Sequence, residues 1–323
     1  MNKKIIFYFL TTLVVLTFKP DSSYSTPTIS KYNNDGNFDF WTPEKIKKAK
    51  PLKTRNIGFR TRSSVKTRKN KVDPSKYTKS MPPFERKYDI INNTINEANV
   101  DQLLAFPIGI LLIRNNAGEL FTCTASVINT DNGNIGLTAA HCLFNFADQT
   151  YYNNIMFSPG FDNEQAGPLG LIPVVQVAIT DEFHNNNDDH FDWGMMKFAF
   201  NVDGHPLEYY TGALGWTFNV GGGVRTVIRG YPDEGNLQNC PNDGLHLCTW
   251  EGVANLAADY YAIPELELGN GASGSPCIMN YDPNTNLGVL YSDYSSFDDI
   301  EEEGLAPIYN PIEFQALLGL LTL

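Results

Sequence analysis

Three short stretches hold residues whose types could do chemistry together. GLTAAHCLFNF, residues 136–146, contains one of only five histidines in 323 residues and sets His141 beside Cys142. Taken alone, the pair reads as a metal corner, a bystander next to a disulfide, or a catalytic base. A zinc site is disfavoured because no second His or Cys follows at ligand spacing beyond the adjacent Cys142. GNGASGSP, residues 269–276, flanks Ser273 with glycines. That backbone can turn tightly, expose a hydroxyl and aim consecutive N–H groups at one spot, as an oxyanion hole requires, although most Gly/Ser loops are only turns. In HFDWGMMKFAF, residues 190–200, Asp192 opens an apolar run that carries it inward. A buried carboxylate costs several kcal/mol unless paired, and a histidine N–H would satisfy it. Hydroxyl, imidazole and carboxylate in that relation make a nucleophile, its general base and the group that orients the base.

Nearby residues compete for these roles. Asp188 and Asp189 are alternative acids, but neither begins an apolar strand. His184 and His190 lie in the Asn/Asp-rich stretch DEFHNNNDDH and read as solvated. The oxygens of that stretch suit calcium, yet EF-hand spacing is absent. An α/β-hydrolase elbow is disfavoured, because residue 275 is Ser where G-x-S-x-G needs Gly, and because that fold runs Ser, acid, His.

The elements that must position these residues are short. From Leu103 onward, apolar runs such as FPIGILLIR, ELFTCTASVIN, VVQVAIT, VRTVIRGY and LGVLYSDY alternate with turn residues, including hairpin linkers NNAG and TDNGN. This spacing argues an all-β barrel or sandwich. The exception is PIEFQALLGLLTL at the C-terminus, with a proline at the first helical position followed by helix formers.

TAAHC (138–142), Asp-Trp-Gly (192–194), GYP (230–232) and GASGSP (271–276), in the order His, Asp, Ser with gaps of 51 and 81 residues, together resemble trypsin-like serine peptidases. The nearest likeness is to the secreted bacterial and fungal branch that includes glutamyl endopeptidases, over about residues 100–320. The resemblance implies two packed six-stranded antiparallel β-barrels with a C-terminal helix and a site between the barrels. It also implies His141 as general base, Asp192 as its orienting carboxylate, Ser273 as nucleophile, and the Gly271 and Ser273 amides as the oxyanion hole. No cofactor or metal is called for. Cys123 and Cys142 match the family's pair that ties the histidine loop to the preceding strand. Cys240 and Cys248 are expected to pair across a turn containing Pro241, Asp243 and Gly244, leaving Cys277 as a buried thiol.

Departures from the family bear on activation and specificity. Ala272 stands where trypsin-like zymogens carry the Asp that receives a newly cut N-terminus, so activation by that ion pair is not available. Leu290 falls where glutamyl endopeptidases carry a pocket histidine, which argues against glutamate preference. Glu267, six residues before Ser273, matches the pocket-floor position whose acidity selects Lys or Arg.

The ends of the chain add context. MNKK, then IIFYFLTTLVVLTF, then Ser23-Tyr24-Ser25 read as a secretory signal over residues 1–25. The apolar run is too short to span a bilayer, and no membrane partner is expected. Secretion implies an oxidising compartment. Residues 1–87 hold 20 of the 24 Lys+Arg and 6 of the 36 Asp+Glu, a net +14, leaving −26 on the remaining 236 residues. The stretch from about Lys45 to Lys87 lacks apolar periodicity, so no packed core is expected from it. Residues 26–87 read as a removable basic prosegment drawn to the acidic domain at 88–323, rather than as a nucleic-acid arm or solvated linker. A sequon, Asn92-Asn93-Thr94, lies just beyond the boundary.

The sequence thus points to a secreted serine endopeptidase acting on proteins or peptides, with its own prosegment as a further partner. A non-catalytic binding module on the same scaffold is the competing class, because fold alone does not establish function.

Overall fold

The computed structural model describes residues 28–31, 40–57, 78–83 and 105–322. The signal stretch at 1–25, the sequon and the Arg86-Lys87 boundary lie outside the described residues.

Six antiparallel strands close a barrel in the first half: β1 (Ile108–Arg114), β2 (Leu120–Ile128), β3 (Ile135–Thr138), β4 (Asn153–Pro159), β5 (Ile172–Ile179) and β6 (Gly194–Phe198). The ladder runs β5–β6–β3–β2–β1–β4, and β4 pairs back onto β5 to close it. Closure removes the unpaired sheet edges that would otherwise remain. The apolar run IGILLIR is buried on both sides because strand alternation splits it. Leu111 and Ile113 fill the barrel interior with Val127, Phe157 and Phe198, whereas Ile110 and Leu112 face outward onto Trp41, Ile46 and Tyr231.

That outer cluster corrects the expectation of no packed core from the stretch beginning at about Lys45, since Ile46 is buried in it. Thr42 Oγ1 accepts from the Lys45 amide at 3.4 Å and starts a one-and-a-half-turn helix, α1 (Pro43–Lys48), which buries Ile46 beside Trp41. Trp41 Nε1 donates to Asn154 O at 2.7 Å. Two apolar residues at the right separation therefore anchor the stretch without any long period in the sequence.

The second half is one sheet. Its strands are β7 (Val224–Gly230), β8 (Cys248–Ala257), β9 (Tyr260–Pro264), β10 (Ser275–Asp282), β11 (Leu287–Tyr294), β12 (Ser296–Asp298) and β13 (Glu303–Pro307). They pair in the order β11–β10–β7–β8–β9–β13–β12. Ser292 Oγ donates to Pro307 O at 2.6 Å, bringing β11 against β13 across the curled sheet. Short strands at Gly215–Trp216 and Arg55–Asn56 extend its two ends, the latter alongside β12.

The expected C-terminal helix is present as α2 (Pro311–Thr322), with Asn310 Oδ1 accepting from the Ile312 amide at 2.9 Å. Its Phe314 stacks near Trp193, Trp216 and Tyr309, joining the helix to the barrel strands that precede and follow Asp192. Among the described residues no helix is long and apolar enough to cross a membrane.

Candidate active site

His141 sits in a 3-10 turn, Ala140–Cys142, immediately after β3, and Asp192 immediately before β6. Because β3 and β6 are paired neighbours, Thr138 opposite Gly194, the two residues emerge from the same end of the ladder. Trp193, fully buried against Tyr309 and Phe314, pins the peptide next to Asp192. Asp192 Oδ1 accepts from the His141 backbone amide at 2.9 Å and Oδ2 lies 2.7 Å from Nδ1. Burial pushes the Asp192 carboxyl up, but His141 and the Arg55 guanidinium outweigh it and hold the group below the usual carboxylate range. The carboxylate is therefore charged at neutral pH.

Ser273 comes from the second half, on the turn that leads into β10. Positive φ at Gly271 (76°) and Gly274 (86°) supplies a backbone that other residues rarely adopt. A Cβ at Gly274 would lie 2.1 Å from Thr138 Oγ1, so only glycine lets this turn approach the histidine loop. The Thr124 amide donates to Ser273 O at 2.9 Å, and Cys142 Sγ lies 3.8 Å from the same oxygen. Ser273 Oγ and His141 Nε2 are both buried and have no hydrogen-bond partner among the described residues. In catalytic sites without substrate such contacts are often long and tighten only on binding.

Cys123 and Cys142 form a disulfide with Cα atoms 6.3 Å apart, and Cys240 and Cys248 form another at 5.7 Å. With Cys123 and Cys142 joined, the cluster of two sulfurs and His141 offers no thiolate to a metal. Cys277 is free and buried. Burial, then the nearby Asp293 charge, pushes its thiol well up, so it is not a ready thiolate.

No family model and no curated protein matches the chain. Solved structures do. A thermostable serine protease from an extremophilic microorganism superposes with TM-score 0.57 and 21% identity, covering 68% of this chain and 98% of that one. The protease Anisep from Arthrobacter nicotinovorans gives 0.57 and 20%, covering 68% and 97%. A Glu endopeptidase gives 0.53 and 16%, covering 71% and 96%. The fold is that of the chymotrypsin-like serine proteases.

Within this serine-protease fold the remaining sequence-derived residues fall as follows. Gly271 presents its amide beside the Ser273 turn, where it donates to Leu52 O at 2.9 Å. Glu267 is exposed, while its neighbours Leu266 and Leu268 turn into the core. It lines the rim of a pocket of about 240 Å³ together with Glu234, Asn270, Tyr294 and Phe297. The structure thus puts its carboxylate on the exposed lining of a pocket and not on a buried floor, in an irregular segment after β9 whose flanking leucines are buried.

Several residues at the site went unrecognised in the sequence. Arg55 pairs with Asp189, lies 3.8 Å by Nε from Asp192 Oδ2, and stacks over Phe183 at 5.1 Å. Nothing in a Lys/Arg-rich run distinguishes it from its neighbours. Asp293 is wholly buried. Burial first, and then the charge of Asp192, pushes its carboxyl well above the usual range, while Tyr309 donates to its Oδ1 at 2.7 Å. His190, expected to be solvated, is half-buried: it stacks on Tyr260, contacts Asp188 at 2.7 Å and lies 3.7 Å from Asp259.

Proposed function

We propose that the chain is a secreted serine endopeptidase that hydrolyses peptide bonds through His141, Asp192 and Ser273. The observation that carries this reading is the double hold of Asp192 on His141, one carboxylate oxygen on the backbone amide and the other on Nδ1. An ionised acceptor at Nδ1 keeps the proton there, so Nε2 presents a lone pair.

In this mechanism Nε2 takes the proton of Ser273 Oγ as Oγ bonds to the scissile carbonyl carbon. The amides of Gly271 and Ser273 donate to the developing oxyanion. Collapse breaks the C–N bond, and Nε2 returns the proton to the leaving amine. Water, deprotonated by Nε2, then releases the acyl group as a carboxylic acid and restores the serine. The step sequence uses no cofactor.

Residues 1–25 are read as the export signal, and residues 26–87 as a basic prosegment removed on maturation. The pocket rim carrying Glu234 and Glu267 favours Lys or Arg side chains over Glu, since two carboxylates repel a third. A second reading, a protease-like binding module, is favoured by one observation: Ser273 Oγ and His141 Nε2 are buried and unpartnered among the described residues.

The test is hydrolysis of a diverse fluorogenic peptide library by secreted, processed protein alongside Ser273→Ala. Activity lost in the variant and confined to sites after Lys or Arg supports both the triad and the acidic rim. Cleavage after Glu keeps the triad and discards the rim argument. Equal signals from both proteins favour the binding module.

A further inference from the structure

The part of the basic stretch that the structure describes crosses the cleft. Lys50–Pro51 runs parallel to β2 at Phe121–Thr122, and the Leu52 amide donates to Thr122 O at 2.9 Å. Leu52 O then accepts from the Gly271 amide at 2.9 Å. Pro51 packs on the two glycines 244 and 271, where an added Cβ would meet its ring at 2.6 Å and 3.0 Å. The Thr54 amide donates to Asn270 Oδ1 at 3.2 Å. Arg55–Asn56 leaves alongside β12, parallel to Ser296–Phe297, and the Ile57 amide donates to Phe297 O at 3.1 Å. Seven residues therefore bridge the barrel, the nucleophile turn and the second sheet.

We infer that Lys50–Asn56 is an intramolecular strap that occupies the substrate cleft, latched by Arg55 in a two-carboxylate socket formed by Asp189 and Asp192. This rests on the proposed catalytic reading only for what it blocks; the docking itself does not. The socket is built: Asp192 is fully buried, Asp189 is 7% exposed, and Phe183 supplies a ring face for the guanidinium. A planar fork that stays charged is the ligand such a site selects, since two carboxylates this close need a positive partner. The strap carries Lys50, Lys53 and Arg55 and no acid, and Lys53 lines the same pocket as Glu234 and Glu267.

Its effect on the site is threefold. Leu52 O uses the amide assigned to the oxyanion. With the strap docked, Ser273 has no exposed surface and His141 has 8%. Arg55 draws on the same Asp192 oxygen that holds Nδ1. Tethering through Trp41 and Ile46 keeps the strap at high effective concentration until the chain is cut.

The experiment uses the full-length chain, with Arg55→Ala and with Thr54→Pro. The second variant removes the amide bonded to Asn270 without stranding a carboxylate, and it serves if the first does not fold. Hydrogen exchange at the Gly271 amide, fluorophosphonate labelling of Ser273 and intact mass are read together. Wild type should protect Gly271 and label slowly, with the Leu52–Lys53 bond intact. Both variants should expose Gly271 and label faster, Arg55→Ala by about tenfold or more, the weight of one charge-assisted contact, and Thr54→Pro by about fivefold, the weight of one neutral hydrogen bond. Fast exchange at Gly271 in wild type, unchanged protection in both variants, or cleavage at Leu52–Lys53 that Ser273→Ala abolishes, overturns the strap. Exposure of Gly271 without any labelling leaves the strap standing and overturns the catalytic reading instead.

Discussion

Asp192→Asn separates orientation of the imidazole from mere support of the loop. Both oxygens of Asp192 accept from His141, at 2.9 Å from its amide and 2.7 Å from Nδ1. A carboxamide has one oxygen and one NH2. If the oxygen keeps the backbone amide, the NH2 faces Nδ1 and must donate to it. The imidazole proton then sits on Nε2, and the ring can no longer take a proton from Ser273. In sites of this geometry that change of tautomer costs about 10⁴ in kcat, or about 5.4 kcal/mol at ~1.36 kcal/mol per decade. Stability should move less, by about 1–3 kcal/mol, because the lost charge-assisted bonds are offset by relief of a buried charge. The assay is kcat/KM for a library-selected peptide with processed protein, together with a urea midpoint for each variant. A loss below about tenfold refutes the argument. So would an equal loss in Asp189→Asn, which holds Arg55 by its own carboxylate.

Three further outcomes concern stability. Replacing Cys123 and Cys142 by Ala opens a loop of sequence separation 19 and should lower unfolding free energy by about 3 kcal/mol, read from urea midpoints. His190 has its pKa raised from 6.5 mainly by its bond to Asp188, so its contribution is full below about pH 6.5 and is lost as pH rises through the raised value. His190→Gln should therefore cost about 0.5 kcal/mol at pH 6 and less at pH 9, a small figure because the pair is half-exposed. Glu313 is pushed up from 4.5 to about 8 by burial, then by Glu182, Asp181 and Asp188. A raised acid contributes fully below pH 4.5 and loses that stability as pH rises through 8, so Glu313→Gln should melt higher than wild type at pH 9 and alike at pH 4.

Much of the site was legible locally. Glycines around Ser273 announce a turn with positive φ, the small residues before His141 allow close approach, and an acid opening an apolar run announces a buried carboxylate seeking a donor. Strand spacing announced an all-β fold, and Pro311 the terminal helix. These are properties of a few consecutive residues, and consecutive residues share a backbone whose period and φ preferences the side chains set directly. Glu267 shows the limit of that logic: its place before the nucleophile suggested a pocket floor, yet Leu266 and Leu268 on either side are buried and its carboxylate lies on the exposed rim.

What the amino-acid order determined by itself was the set of chemical groups, the turns that present them and the partition of charge at the end of the basic stretch. Tertiary structure alone decided which of many basic residues meets Asp189 and Asp192, that Trp41 and Ile46 belong to a core, and that Asp293 is buried against Tyr309. Arg55 and Asp192 lie far apart in the chain, and their pairing depends on two ladders that a sequence pattern does not specify, Lys50–Pro51 on β2 and Arg55–Asn56 on β12. Long-range register comes from packing of whole elements, so it is read from the fold and not from the residues that the fold brings together.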